Sequence, residues 1–292
     1  MQNIEHIEIT AKDGAVIPAI TYNIENEATK GIVLICHGFG EHSVAYLEHS
    51  ERLWQGGYAS VIFDQRGHGK PPEGVKKWHG QIPDYQCFID DIASVTDKIR
   101  KLAPDTPIAI YGHSMGGNIV TNTLLDLPPE AAHQYLCAML ESPWFELYKP
   151  LNLFTRCLLT LLNKILPTFT HHRKLNHDSL SSDTERRKGY SKDPYYHGFI
   201  SVRMITGIIK GCKLARENAK KMPVKTYLAY ADNDTVVCNK AIKEFAAKAG
   251  DIVTLKEYSS NHAIYNDVNR EPYCRDLIAF MDSSIAQNNE GA

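Results

Sequence analysis

The chain has 292 residues, 43% hydrophobic and 23% charged, with 32 basic against 34 acidic side chains. This is ordinary globular composition with enough apolar residues for a sizeable core, in one large domain or two small ones. A net charge of −2 and the lack of a long basic stripe argue against nucleic acid as a partner.

The opening MQNIEHIEIT lacks a positive start followed by an apolar run, so no secretory signal is expected. No stretch reaches the ~18 apolar residues of a membrane span. IEHIEIT and VIPAITYNI flank the turn signal AKDG and predict an antiparallel pair. Then come GIVLIC (31–36), YASVIF (58–63), PIAIY (107–111), LCAML (136–140), KTYLAY (225–230) and VTLKEY (253–258). Most are continuously apolar, as strands covered on both faces should be. Helical patterns lie at 44–56, 85–102, 115–126, 239–248 and 272–286. This alternation predicts an α/β fold with a mostly parallel, doubly wound sheet.

Residues 143–222 break the rhythm and contain no convincing strand. Their start, LNLFTRCLLTLLNKILPTF, is amphipathic. Leu151, Phe154, Leu158, Leu161, Leu162 and Ile165 share one face, and Pro167 ends the helix. The segment reads as a helical cap inserted over the sheet's C-terminal edge, where open α/β sheets bind ligands. The core would then be 1–142 and 223–292. The apolar side of the first cap helix is expected to pack on the domain, its tip lining the pocket. A transient membrane-surface contact is the alternative.

The seven cysteines are scattered, odd in number and without a CxxC pair, which suits small core residues in a reducing cytoplasm. HHRKLNH, with His171, His172 and His177, reads as a solvated loop rather than a metal site. ERRKG (185–189) reads as a solvated surface run. Trp54, Trp78 and Trp144 read as packing, with Trp144 close enough to a sheet edge to touch substrate. Neither a metal, a cofactor nor an obligate protein partner is called for.

GHSMGG (112–117) follows the strand PIAIY and precedes a helix. In that context a G-x-S-x-G string is a sharp turn that thrusts its serine out at the sheet edge. Gly112 and Gly116 leave room where side chains would clash. Ser114 is therefore the candidate nucleophile. It needs a base, and the base needs an orienting acid. In this topology the order is serine, acid, histidine. ADNDTVV follows KTYLAY, and SSNHAIYND follows VTLKEY. His262 is the candidate base. Asp232 and Asp234 compete for the acid, with Asp234 preferred because Val236 and Val237 can anchor its loop. Asp232 is expected to bond to turn backbone. Two amides should hold the oxyanion, that of Met115 and that of Phe39 in HGFGEHS.

Together, HGFGEHS, FDQRGHGK, GHSMGG, ADNDTVV and NHAIYND resemble α/β-hydrolases, in the branch of monoglyceride lipases and lysophospholipases often grouped with serine aminopeptidases. KDPYYHG resembles that branch's cap. The resemblance implies Ser114, Asp234 and His262 as a triad, Phe39 and Met115 amides as the oxyanion hole, and no metal or organic cofactor. It makes Asp64, Arg66 and His68 structural. It implies hydrolysis of carboxylic esters of monoacylglycerol or lysophospholipid type, with a small ester molecule as the partner. Ala45 stands where the lipase pattern has arginine, and Ala263 where many relatives have glutamate, which bears on a glycerol-type head group. An aminopeptidase is the second reading, with Glu141 or Glu146 receiving the substrate amine. A non-catalytic ligand receptor is the third.

Overall fold

A computed structural model describes residues 3–290. Strands β1 (Ile4–Thr10) and β2 (Val16–Tyr22) form the expected antiparallel pair, in register from Ile4 opposite Tyr22 to Thr10 opposite Val16. Strands β3 (Gly31–Cys36), β4 (Tyr58–Phe63), β5 (Ile108–His113) and β6 (Tyr135–Glu141) follow, and β9 (Thr226–Ala231) and β10 (Val253–Tyr258) complete the sheet. The order across it is β1-β2-β4-β3-β5-β6-β9-β10. From β4 to β10 every pairing is parallel.

The side-chain alternation of a strand divides the core into two layers. Ile32, Leu34 and Cys36 of β3 face one side, with Ile110 and Leu140. Helices α2 (Gln86–Leu102), α3 (Met115–Asp126) and α9 (Asn239–Ala249) cover them. Val33 and Ile35 face the other side with Tyr111 and Met139, under α1 (Leu47–Gln55) and α10 (Arg270–Glu290). Each fully buried Ile, Leu or Val in these layers contributes about 1.5–3 kcal/mol. A four-residue turn of helix, α4 (Pro129–Ala132), precedes β6.

Between β6 and β9 lie α5 (Leu153–Ile165), β7 (Thr170–His172), α6 (His177–Leu180), α7 (Thr184–Lys192), β8 (Phe199–Ser201) and α8 (Val202–Asn218). The expectation of no strand here is corrected. β7 and β8 pair antiparallel, Thr170 opposite Ser201 and His172 opposite Phe199. Three residues per strand are too few to leave an alternating pattern. Helix α8 is rooted in the main core, with Met204, Ile208, Cys212 and Ala215 buried beside residues of α3. It is the crossover helix that parallel β6 and β9 require.

Helix α5 also departs from expectation. Asn152 caps it by accepting from the Thr155 amide at 2.8 Å, but none of its residues is buried. Leu151, Thr155, Leu159 and Leu162 line a cavity. Leu153, Phe154, Leu158, Leu161 and Ile165 point outward, with Leu153 and Phe154 each 76% exposed. Packing of the apolar face on the domain is therefore overturned. The helix is apolar on two sides, and one of them meets solvent. Among the described residues, no helix is long and apolar enough to cross a membrane.

Candidate active site

Parallel strands end together, so the loops after β3, β5, β9 and β10 gather at one edge. Ser114 lies between β5 and α3 with φ 52° and ψ −113°. That left-handed backbone is strained for a serine. Tight packing holds it. The Ser114 amide donates to the Glu141 carbonyl at 2.9 Å, and its carbonyl accepts from the Asn118 and Trp144 amides at 3.1 and 2.8 Å. A Cβ on Gly116 would stand 2.1 Å from the Cys36 carbonyl oxygen, and one on Gly112 would stand 2.6 Å from the Gly116 oxygen. Glycine is required at both positions so that the turn can approach β3.

Asp234 is buried in the loop after β9. One carboxylate oxygen accepts from the Val236 and Val237 amides at 2.8 and 3.0 Å. The other lies 2.6 Å from Nδ1 of His262. The valines thus anchor the acid through their backbone, and the acid fixes the ring. Asp232 goes elsewhere, accepting from the Ser260 amide at 3.1 Å. It is Asp234 that meets the histidine.

Ser114 and His262 line one cavity of about 530 Å³. Its walls come from the β3 loop (Gly38, Phe39, Glu41), the elbow (His113, Ser114), Trp144 and the segment 147–205. Leu147, Leu151, Leu159, Leu162, Leu175 and Ile205 make it mainly apolar. Met115 is buried at the first position of α3, where a helix amide has no intrahelical acceptor. Phe39 packs edge-on to Trp144, His68 and His197, with centroids 6.4, 5.9 and 6.0 Å away. Trp144 therefore has both roles open to it, packing and pocket wall. A larger cavity of about 820 Å³ opens at the strands' other end around Arg100, His133 and Gln287, far from the elbow.

Glu41, inside GEHS, is a wall residue that the sequence alone did not single out. It accepts from the Gly38 amide at 2.7 Å, Tyr46 Oη at 2.6 Å and Tyr265 Oη at 3.2 Å. A lone carboxylate directly after the glycine-rich turn HGFG was the available signal. His113, next to the nucleophile, lies 3.3 Å from Glu141 and 4.0 Å from Glu41. The Glu141 approach is a charge contact without hydrogen-bond alignment. Burial works against the charged His113, but the two carboxylates outweigh it and raise its pKa. Burial likewise works against ionised Glu141, and His113 lowers it back below the usual range.

The remaining residues of interest are structural in their contacts. Arg66 bridges Asp91, at 2.8 and 2.6 Å, and Asp13. Asp64 accepts from the Ser43 amide at 2.6 Å, and His68 Nδ1 lies 3.0 Å from the Arg66 carbonyl. Glu141 is fully buried and accepts from Tyr111 Oη and the Tyr265 amide. Glu146 pairs with Arg156 and Arg216 at 3.5 and 3.1 Å, in a groove outside the cavity. His171 lines the cavity, His172 packs on Phe199, and His177 bonds Ser191 Oγ at 3.0 Å. Arg186 of the ERRKG run pairs with Glu48 of α1.

A parallel sheet with an elbow serine, an acid after β9 and a histidine after β10 defines the α/β-hydrolase fold. The model of the serine aminopeptidase S33 family matches residues 27–269, and the chain belongs to that hydrolase family. An uncharacterized abhydrolase domain-containing protein of Dictyostelium discoideum is 27% identical over 259 residues, 87% of this chain. The chain spans only 26% of that relative's length. A monoacylglycerol lipase of Mycolicibacterium smegmatis is 25% identical over 271 residues, covering 91% of this chain and 94% of its own. A solved soluble variant of monoglyceride lipase from Saccharomyces cerevisiae, in complex with a substrate analog, superposes with TM-score 0.82. It is 22% identical, covering 97% of this chain and 96% of its own, and is similar in fold.

Proposed function

We propose that this chain is a cofactor-independent serine hydrolase that cleaves carboxylic esters of acyl chains, of the monoacylglycerol or lysophospholipid type. Ser114 attacks the ester carbonyl. His262 accepts the hydroxyl proton at Nε2 and passes it to the departing alcohol, and Asp234 holds the ring through Nδ1. The Phe39 and Met115 amides receive the oxyanion, each donor being worth about 3 kcal/mol. Water, deprotonated by His262, then releases the acid from Ser114. The observation that carries this reading is the 2.6 Å Asp234–His262 contact at the base of an apolar cavity that Ser114 also lines. An apolar wall suits an acyl chain, with about 0.8 kcal/mol gained per buried CH₂. The names of the relatives agree with it.

In this reading the part of 143–222 that precedes α8 acts as the cap, on a core formed by 1–142, 223–292 and the crossover helix α8, which packs beside α3. The outward apolar side of α5 makes transient contact with a lipid surface, and the partner is a small ester rather than nucleic acid or an obligate protein. A cytoplasmic location suits the seven free cysteines. The aminopeptidase reading loses its amine-binding groups, since Glu141 is walled off and Glu146 is paired with two arginines. The receptor reading leaves the Asp234–His262 contact without a purpose.

The test is labelling by a fluorophosphonate together with turnover of p-nitrophenyl esters and aminoacyl anilides. Wild type is expected to label and to hydrolyse the esters. Ser114→Ala is expected to lose both, with kcat down about 10⁶-fold and the fold retained. Ester turnover surviving in Ser114→Ala sinks the mechanism, and cleavage of anilides alone sinks the substrate class.

A further inference from the structure

The base of the proposed triad stands on a loop held from two sides. Residues 259–263 follow β10. One side is tied to the acid loop, where the Asn233 amide donates to the Ser260 carbonyl at 3.2 Å. The other is tied to the cap. The His262 amide donates to the Ser179 carbonyl at 3.2 Å, the Ala263 amide to Leu180 at 2.8 Å, and Asn261 Nδ2 to the Asp178 carbonyl at 2.7 Å. Ser179 and Leu180 are also cavity walls.

Asp267 lies at the junction and is fully buried. Its Oδ2 accepts from Ser260 Oγ at 2.8 Å and the Asn261 amide at 2.7 Å. Its Oδ1 accepts from Ser181 Oγ, the Ser182 amide and Ser182 Oγ at 3.0, 2.8 and 2.6 Å, and from the Asp183 amide at 3.2 Å. One oxygen therefore grips the histidine loop and the other grips the cap. Burial alone would favour the neutral acid, but donors from Ser182, Asn261 and Ser260 hold the carboxyl ionised, down to about 2. A protonated acid would turn one of its oxygens into a donor that faces other donors, and would accept more weakly on both sides. Arg270 stands nearby, bound to the Asp267 carbonyl at 2.8 Å and to Asp183 at 3.1 Å.

We propose that Asp267 is a positioning residue for the hydrolytic reaction: by clamping loop 260–261 to cap residues 181–183 it sets where the His262 ring stands, so that the cap completes the general base. This rests on the triad assignment above. The segment 178–183 is then a fixed strut.

The test uses full-length Asp267→Asn, and the double variant Ser181→Ala/Ser182→Ala, which keeps the carboxylate and removes the two hydroxyl donors on the cap side while the Ser182 and Asp183 amides remain. Three readouts follow: the rate of fluorophosphonate labelling at Ser114, kcat and KM against pH on a soluble short-chain ester, and the low-field proton resonance of His262 Nδ1–H. For Asp267→Asn, labelling and kcat are expected to fall about 10²-fold, the cost of misplacing a catalytic group by about 1 Å. KM should stay within about threefold, and the resonance should shift or broaden. The double variant is expected to lose about tenfold in labelling. Variants that melt earlier but keep the wild-type labelling rate, pH profile and resonance would make Asp267 a structural residue only. If Asp267→Asn does not fold, wild-type labelling of the double variant alone overturns the clamp. Should wild type not label at all, the hydrolase reading fails, and the resonance still decides whether Asp267 holds the ring.

Discussion

At the residue scale two aspartates two positions apart have different partners. Asp234 meets His262 Nδ1, whereas Asp232 meets the Ser260 amide. A neutral amide at 234 can no longer hold the imidazole in the tautomer that accepts a proton from serine, and that error costs about 10⁴-fold in kcat. Asp234→Asn is therefore expected to lose about 10⁴-fold, and Asp232→Asn less than about tenfold, since it only loosens a turn. Parallel kcat measurements check this, and a larger loss from Asp232→Asn would reverse the assignment. The elbow glycine gives a stability counterpart. A methyl group on Gly116 would meet backbone oxygens of Cys36 and His37 at 2.1 and 2.6 Å. Backbone cannot swing away as a side chain can. Gly116→Ala should cost about 3 kcal/mol or more, visible as a lower urea midpoint with labelling lost.

At the scale of elements, the strands were legible because each carries its own signal. GIVLIC and YASVIF are unbroken apolar runs, and the structure starts and ends β3 and β4 on those residues. The elbow was legible for the same reason, being a short local string between a strand and a helix. The cap was not. Its β7 and β8 have three residues each, and α7 has neither a long apolar stripe nor more than one buried residue, Tyr190. Helix α5 was seen but turned the wrong way. Amphipathicity locates a seam without saying which medium lies on the far side. Its outer row, Phe154, Leu161 and Ile165, is 76%, 54% and 62% exposed. Changing these three to serine is expected to weaken co-sedimentation with phosphatidylcholine vesicles about 10²-fold. Hydrolysis of a soluble short-chain ester should stay unchanged. Equal vesicle binding by wild type and variant would remove lipid contact from α5.

At the scale of the whole molecule, the fold places buried neutral histidines around the loops that shape the site. His37, His68 and His197 pack in series, with ring centroids 5.2 and 4.9 Å apart, beneath Phe39, and His49 lies on the other layer beside Tyr111. Burial is the main cause that lowers each pKa, with repulsion from neighbouring histidines added in the series. His37 is held at about 3, His49 at about 4, His197 at about 2, and His68 well below its usual value. Unfolded, each would titrate near 6.5. Below that pH the unfolded chain takes up protons that the native state refuses, so stability is complete above pH 6.5 and falls as the pH drops. Each such imidazole can remove at most about 1.4 kcal/mol per pH unit. His113 has the opposite sign, since its pKa is raised and its contribution is lost as pH rises through the folded value. One histidine against four leaves acid as the damaging direction, and a typical reserve of about 5–15 kcal/mol would be exhausted within a few units. The expected result is a melting temperature that is level above neutrality, declines below about pH 6, and ends in cooperative acid unfolding before the carboxylates titrate. Circular dichroism melts across pH check it, with His197→Gln expected to flatten the acid limb because one of the protons refused by the native state is no longer in play. An acid limb as steep in His197→Gln as in wild type would show that carboxylates, not buried imidazoles, govern the loss.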